Sequence, residues 1–348
     1  MQLTAIHRLE AAEVAEPQIT ASDDVLLTMT CAGVCGSDVH YYETGRIGSQ
    51  VVDFPMVLGH EGAARVEAVG PAVRGLAPGD RVAIEPAMPC HECDQCRAGR
   101  ENTCRRLRFL GCPGQAAGLL SQRLVMPAEC CLPVPAQMSD VEAAIVEPLA
   151  IGVYAVEQSV PMAGATVGVL GFGPIGMSVL LPALAGGAAR VHVTDRLDYR
   201  LAVARACGAA SAGNPESADV VADIAAREPE LCDVVFECCG RQEALDQAIE
   251  LLKPGGKLMI IGIPPELERW TLPTDIIRRK ELTVQNVRRQ RHCTAKAIEL
   301  IASGAVDVSP MATHRFPFAA TDQAFELVAG YRDGVMKAFI EFSESPRR

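Results

Sequence analysis

Thr166-Val-Gly-Val-Leu170, then Gly171-Phe-Gly173-Pro174-Ile175-Gly176, then Arg190-Val-His-Val-Thr194 closed by Asp195: these three stretches decide the fold. The first reads as a buried strand and the last as the next strand. Between them a G-x-G-x-x-G turn opens an apolar helix, with Pro174 and Ile175 at its start. Asp195 follows Gly176 by 19 residues. That context is the dinucleotide fingerprint. Gly171 permits a tight turn, Gly173 lets backbone approach a pyrophosphate, and Gly176 lets helix and strand pack closely. The helix N-terminus offers free N–H groups to phosphate. Asp195 would accept hydrogen bonds from the adenosine ribose and repel a 2′-phosphate, which favours NAD. Arg196 counters this, because it could pair with that phosphate; Arg200, one turn into the next helix, could cover the adenine. The alternative is a Rossmann-like domain for another nucleotide, or for none.

Outward from this core the alternation continues. Leu197 to Cys207 and Gln242 to Leu252 read as helices, and Asp233 to Glu237 and Lys257 to Ile263 as apolar strands. Alternating strand and helix means a parallel sheet covered on both faces. Pro182 falls inside the helix after the glycine turn and should kink it. The end of the chain reads as a helix at Thr294 to Ala302, an extended stretch at Thr313 to Phe318, and a last helix and strand. The first 150 residues differ, with Gly, Pro and short strands such as Leu58 to Val69 and Arg81 to Glu85, and few long helices.

At about 150 residues per domain, 348 residues suggest two domains. Apolar residues make up 49% and charged residues 22%, which suits a globular enzyme. A net charge of -11 argues against nucleic acid as a partner. No apolar run is long enough to span a membrane, and the N-terminus lacks a signal pattern, so a cytoplasmic protein is expected.

The chain has 14 cysteines. Cys90-x2-Cys93-x2-Cys96-x7-Cys104 offers four thiolates, enough to close a tetrahedral structural zinc site. An iron–sulfur cluster is the alternative for four cysteines; His91 reads as a bystander. A second set is dispersed: Cys35, followed by Gly36-Ser37-Asp38; His60-Glu61 after Gly59; and Glu147, before Pro148-Leu149. Cys, His and Glu with one open position make a catalytic zinc arrangement. Each also has an ordinary reading, as a buried thiol, a loop histidine or a capping acid. The remaining nine cysteines read as core or incidental.

At these residues the sequence resembles the zinc-dependent medium-chain dehydrogenases, most closely their polyol branch of sorbitol and xylitol dehydrogenases. The carriers are Cys35-Gly-Ser-Asp-Val-His-Tyr41, Gly45-Arg-Ile-Gly48, Gly59-His-Glu61, Gly79-Asp-Arg-Val-Ala-Ile-Glu-Pro86, the four-cysteine lobe, Glu147-Pro-Leu149, the glycine turn and Thr313-His-Arg-Phe-Pro317. The resemblance implies an α/β protein. A GroES-like β-barrel catalytic domain (1–153 and 290–348, with a structural zinc lobe near 88–106) would carry an inserted doubly wound Rossmann domain (154–289). It implies NAD and two zinc ions per subunit, a catalytic site in the cleft, a small polyol or sugar-derived substrate, and a homotetramer or homodimer. Cys35 and His60 become ligands of the catalytic zinc, with Glu61 or Glu147 completing the set. Ser37 matches the proton-relay hydroxyl, His40 continues the relay, and Tyr41 matches a residue lining the polyol pocket.

One stretch departs from the pattern. Where the polyol enzymes carry Phe-Arg-Tyr, this chain has Asn286-Val-Arg288-Arg289-Gln-Arg-His292. Arg288 can replace the family arginine, and Arg289 stands where the aromatic residue would be. A solvated basic run is one reading. The other is a guanidinium clamp for a sugar acid or polyol phosphate. An amino-alcohol oxidation, as in the related threonine dehydrogenases, is the further enzyme alternative. A non-catalytic nucleotide sensor would have lost a ligand or Ser37, and none is lost.

Overall fold

The computed structural model describes residues 1–264 and 269–342. The chain divides into two compact units: Met1–Glu147 with Ala297–Ser303 and Met311–Arg348, and Pro148–Lys296 with Gly304–Pro310. The last six residues of the first unit lie outside the described residues.

The first unit is built on a seven-stranded sheet in the order Cys131–Pro133, Arg81–Ile84, Glu61–Val69, Asp24–Gly33, Lys337–Glu341, Ala312–Pro317, with Arg123–Pro127 also paired to Asp24–Gly33. Asp24–Gly33 shows why. Val25, Leu27, Met29 and Cys31 alternate into the core, as the two-residue period of a strand requires. Its register with Glu61–Val69 shifts twice, between Leu26 and Leu27 and between Met29 and Cys31. Such irregularities bend a strand and add twist.

The second unit is a six-stranded, wholly parallel sheet in the order Ser211–Gly213, Arg190–Thr194, Thr166–Leu170, Cys232–Glu237, Leu252–Ile260, Thr283–Asn286. Every residue of Thr166–Leu170 is buried. Chain order reverses between Thr166–Leu170 and Cys232–Glu237, and open sheets of this type bind ligands at that point, beyond the carboxyl ends of the strands. Together the two units make an α/β zinc-dehydrogenase fold.

Helices in the N-terminal part are more extensive than the sequence reading allowed. Gly36–Thr44 is helical, with Cys35 at its N-cap. Asp140–Glu157 is an 18-residue helix that contains Glu147 and Pro148. A capping box starts it: Ser139 Oγ accepts from the Glu142 N–H at 3.2 Å, and Glu142 Oε2 accepts from the Ser139 N–H at 2.7 Å. The Ser-x-x-Glu signal was present in the sequence.

Pro182 does lie within the helix Pro174–Ala185. Having no N–H, it leaves the Ser178 carbonyl without its intrahelical donor. Gly152, on Asp140–Glu157, backs directly onto that carbonyl, so that a Cβ there would overlap it. The two helices thus meet through a bare backbone. Gly152→Ala is expected to lower stability by about 1–3 kcal/mol or more, read as a fall in the denaturation midpoint; an unchanged midpoint would show that the helices can part without cost.

Candidate active site

In the first unit the strand Glu61–Val69 and the helix Gly36–Thr44 bring together residues far apart in sequence. Ligand atoms of Cys35, His60 and Glu61 lie within 4.8 Å of one another. Asp38, almost wholly buried, organises them. One of its oxygens accepts from the Cys35 N–H at 3.3 Å. The other accepts from the Gly59 N–H at 3.2 Å and faces His60 Nδ1 at 3.4 Å. A carboxylate on Nδ1 fixes the imidazole and leaves Nε2 for a metal. Burial pulls His60 toward neutrality, but Asp38 and Cys35 outweigh it and hold the ring above its usual value.

Glu61 is ion-paired with Lys337, and both are only 1% exposed. Gly33 makes room for this pair, since a Cβ there would collide with the Glu61 carboxylate and stand 2.8 Å from Lys337 Cε. Lys337 Nζ also donates to the Val34 carbonyl at 3.3 Å. Glu147 is buried as well, though outside the Cys35–His60–Glu61 group. Burial pushes its carboxyl up to about 8, with Glu61 and Glu85 adding to the shift and His60 and Lys337 opposing it. Asp38 is therefore matched by His60 and Glu61 by Lys337, while the Glu147 carboxyl is held toward its neutral form. A thiolate, an imidazole and carboxylates are the donor set that zinc takes, and a divalent cation there would favour the ionised form of the Glu147 carboxyl.

Ser37 Oγ donates to Cys35 Sγ at 3.4 Å. Ser37, His40 and Tyr41 share one face of the helix at the three- and four-residue spacing. Burial lowers the His40 pKa. The Tyr41 hydroxyl donates to Gln50 Oε1 at 3.4 Å and lies 4.0 Å from Cys112 Sγ, which accepts from Gln50 Nε2 at 2.8 Å. Cys112 is thus in a polar group, not in plain core.

Cys90, Cys93, Cys96 and Cys104 form a second cluster. Their sulfur separations run from 3.4 Å (Cys104–Cys90) through 3.6 Å (Cys93–Cys96) and 3.9 Å (Cys93–Cys104) to 4.0 Å (Cys90–Cys96). Tetrahedral zinc with Zn–S near 2.3 Å requires about 3.8 Å, so the four sulfurs fit that ion. The backbone N–H of Glu92, with those of other groups, holds Cys90 down to about 6. His91 bonds instead to Glu129 at 2.9 Å.

In the second unit, Gly171 adopts a φ of 91°, and Gly173 caps the helix Pro174–Ala185. A Cβ on Gly176 would overlap the Gly171 carbonyl. Asp195 Oδ2 accepts from the Phe172 N–H at 2.6 Å, and Oδ1 from the Leu197 N–H at 2.9 Å. Arg200 is 3.7 Å from Asp195 and lies over Gly173. Arg196 is paired with Glu216. Arg288 is exposed and Arg289 half-buried, just past the carboxyl end of Thr283–Asn286. Arg289 has a φ of 53°, and Gln290 is buried, its Oε1 accepting from the Cys293 N–H at 2.8 Å. The stretch is therefore anchored rather than a free basic run.

Asp38 and Lys337 had been given no role in the sequence reading. Asp38 sits in a quoted motif. The signal for Lys337 is one cation inside the apolar Val335-Met-Lys-Ala-Phe-Ile340.

Residues 21–136 match the alcohol dehydrogenase GroES-like domain, and residues 174–303 match the zinc-binding dehydrogenase domain. The sorbitol dehydrogenase of Bacillus subtilis (strain 168) is 34% identical over 91% of this chain and 90% of its own length. The L-idonate 5-dehydrogenase of Vitis vinifera is 36% identical over 88% and 85%. A zinc-binding dehydrogenase of Sinorhizobium meliloti 1021, solved bound to NADP, superposes with a TM-score of 0.89 at 30% identity, covering 98% of both chains. The chain belongs to the zinc-dependent medium-chain dehydrogenases, in their polyol branch. It is an oxidoreductase of the alcohol and polyol dehydrogenase type. No helix among the described residues is long and apolar enough to cross a membrane.

Proposed function

We propose that this protein oxidises a secondary alcohol of a polyol or sugar-derived substrate, passing hydride to NAD. The observation that carries the reading is the buried group of Cys35, His60 and Glu61, with Asp38 behind His60 and Lys337 paired with Glu61. Cys35 and His60 would hold the catalytic zinc, with Glu61 or Glu147 completing the set. Cys90, Cys93, Cys96 and Cys104 would hold a structural one. Bound there, the catalytic ion would acidify a substrate hydroxyl by stabilising its anion.

The chain's own residues do the rest. Asp38 keeps His60 in one orientation. Ser37 Oγ takes the alcohol proton and, with His40 on the same helix face, hands it toward solvent. The apolar residues packed around Tyr41 and Leu58 exclude water. The glycine turn and the N-terminus of Pro174–Ala185 hold the pyrophosphate. Asp195 receives the adenosine ribose. Its carboxylate is fixed by two backbone N–H groups, and Arg196 is engaged by Glu216, which supports NAD over NADP although the Sinorhizobium meliloti relative was solved with NADP.

The 14 thiols, none in a disulfide, support a reducing, cytoplasmic setting. Thr283–Asn286 ends the sheet as an edge and supports pairing into a homodimer or homotetramer.

Substrate class turns on Arg288 and Arg289. Relatives of this chain include sorbitol and L-idonate dehydrogenases, one substrate neutral and one a sugar acid. The test is NADH production with neutral pentitols and hexitols, aldonates and polyol phosphates side by side. If the arginines clamp an anion, Arg289→Ala loses about 10–100-fold in kcat/KM on the anionic group, as expected for a lost charge-assisted bond, and little on sorbitol. Equal losses on both would remove the clamp. No coenzyme reduction with any group would overturn the polyol reading.

A further inference from the structure

We infer that Glu237 is a positioning residue for the nicotinamide half of the dinucleotide, tying together the loops at the carboxyl edge of the parallel sheet. The inference rests on the dinucleotide reading above.

Glu237 ends the strand Cys232–Glu237 and pairs in register with Leu170, the last residue before the glycine turn. The pair therefore stands where chain order reverses, at the ligand crevice. Glu237 is fully buried. Its main-chain carbonyl accepts from the N–H groups of Ile261 at 2.8 Å and Gly262 at 3.0 Å. Its Oε1 accepts from the N–H groups of Cys239 at 2.8 Å and Gly240 at 2.6 Å, and from the Cys239 thiol at 3.1 Å. The Cys238 N–H in turn donates to the Leu170 carbonyl at 2.8 Å. Cys239 Cβ packs against Gly171, only 2.7 Å from where a Cβ would stand.

One side chain thus fixes residues 238–240, its main chain fixes 261–262, and the first of these loops presses on the glycine turn. Gly240 and Gly262 allow the two loops to touch, since a Cβ on Gly262 would overlap the Gly240 N–H. The other carboxylate oxygen, Oε2, is buried with no hydrogen-bond partner. A buried acid with an unpartnered oxygen is costly. Holding three ligand-facing loops in one arrangement explains why the cost is carried here.

The half of the dinucleotide follows from strand order. The glycine turn takes the pyrophosphate, and Asp195, on the strand to one side, takes the adenosine ribose. Residues 238–240 and 261–263 cap the strands on the other side of the reversal, which leaves them the nicotinamide half.

The test compares binding of NADH, followed by its fluorescence, with binding of AMP, followed by calorimetry. Neither needs turnover. Glu237→Ala leaves the Cys239 and Gly240 N–H groups without an acceptor, and NADH should bind about tenfold more weakly or worse. AMP, which meets these loops only through its phosphate at the glycine turn, should lose clearly less than NADH. Glu237→Gln keeps an acceptor oxygen and should restore most of the NADH affinity. Should Glu237→Ala fail to fold, Glu237→Asp, whose shorter arm cannot reach both N–H groups, replaces it with the same expectation. NADH affinity unchanged in the variants, or NADH and AMP weakened equally, would overturn the inference. Wild-type protein that binds AMP but not NADH would instead overturn the dinucleotide reading, and the inference with it.

Discussion

A Cys35→Ser variant is expected to fold, to hold one zinc ion per chain in place of two, and to lose about 10³-fold or more of its dehydrogenase activity, the several kcal/mol that a catalytic metal supplies. Folding should survive because Cys35 acts structurally as the N-cap of Gly36–Thr44, with its N–H bonded to Asp38. Serine is a better N-cap than cysteine. Ligation should not survive. A serine hydroxyl stays protonated at neutral pH, and it cannot replace a thiolate beside His60. Metal analysis and steady-state kinetics on one preparation read both effects. Activity within about tenfold of wild type would mean that Cys35 is not a ligand.

A Cys93→Ser variant should fail differently. It too keeps one zinc, but it loses the lobe rather than the chemistry. Between Cys90 and Cys104 only Cys96, Asn102 and Cys104 are buried, so no apolar core stands in for the metal. The helix Asp94–Arg97 is a single turn, too short to persist alone. The contacts that remain are exposed ion pairs such as Arg105–Asp94 and Arg106–Glu92, each contributing little. Structural zinc supplies about 10–16 kcal/mol to isolated zinc-finger peptides, and loss of even part of that should open the lobe. Trypsin should then cut within residues 90–108, at sites among Arg97, Arg100, Arg105 and Arg106, while wild type resists. Equal resistance would show that the four thiols need no ion.

How much of this was written in the sequence depends on how local each feature is. The parallel sheet was legible because Thr166–Leu170 and Arg190–Thr194 are short, valine-centred runs flanking a motif of fixed spacing. The four-cysteine cluster was legible for the same reason, since all its ligands fall within 15 residues. The catalytic group was harder. Cys35 and the His60–Glu61 pair meet only through tertiary structure, and the family resemblance, not the spacing, selected them. Asp38 and Lys337 could not be given roles in advance. One acts through Nδ1 of a histidine 22 residues away, the other through a strand pairing between the chain's two ends. The helix Asp140–Glu157, which holds Pro148 in its interior, was not anticipated. A proline's missing N–H is tolerable where neighbouring packing absorbs the distortion, and Leu149, Ala150 and Val153 are buried. The Arg196–Glu216 ion pair was not legible either, because Glu216 comes from beyond the next helix, out of reach of any local pattern.

The buried Cys35–His60–Glu group is proposed to work only when it holds zinc. The most direct measurement follows NADH production from a polyol as zinc is withdrawn by a chelator and returned, with metal content determined at each step. Activity is expected to fall with the first ion lost from the Cys35 group, while the four-cysteine ion stays, and added zinc should restore it. Full activity in protein whose Cys35 group has been emptied would contradict the proposal.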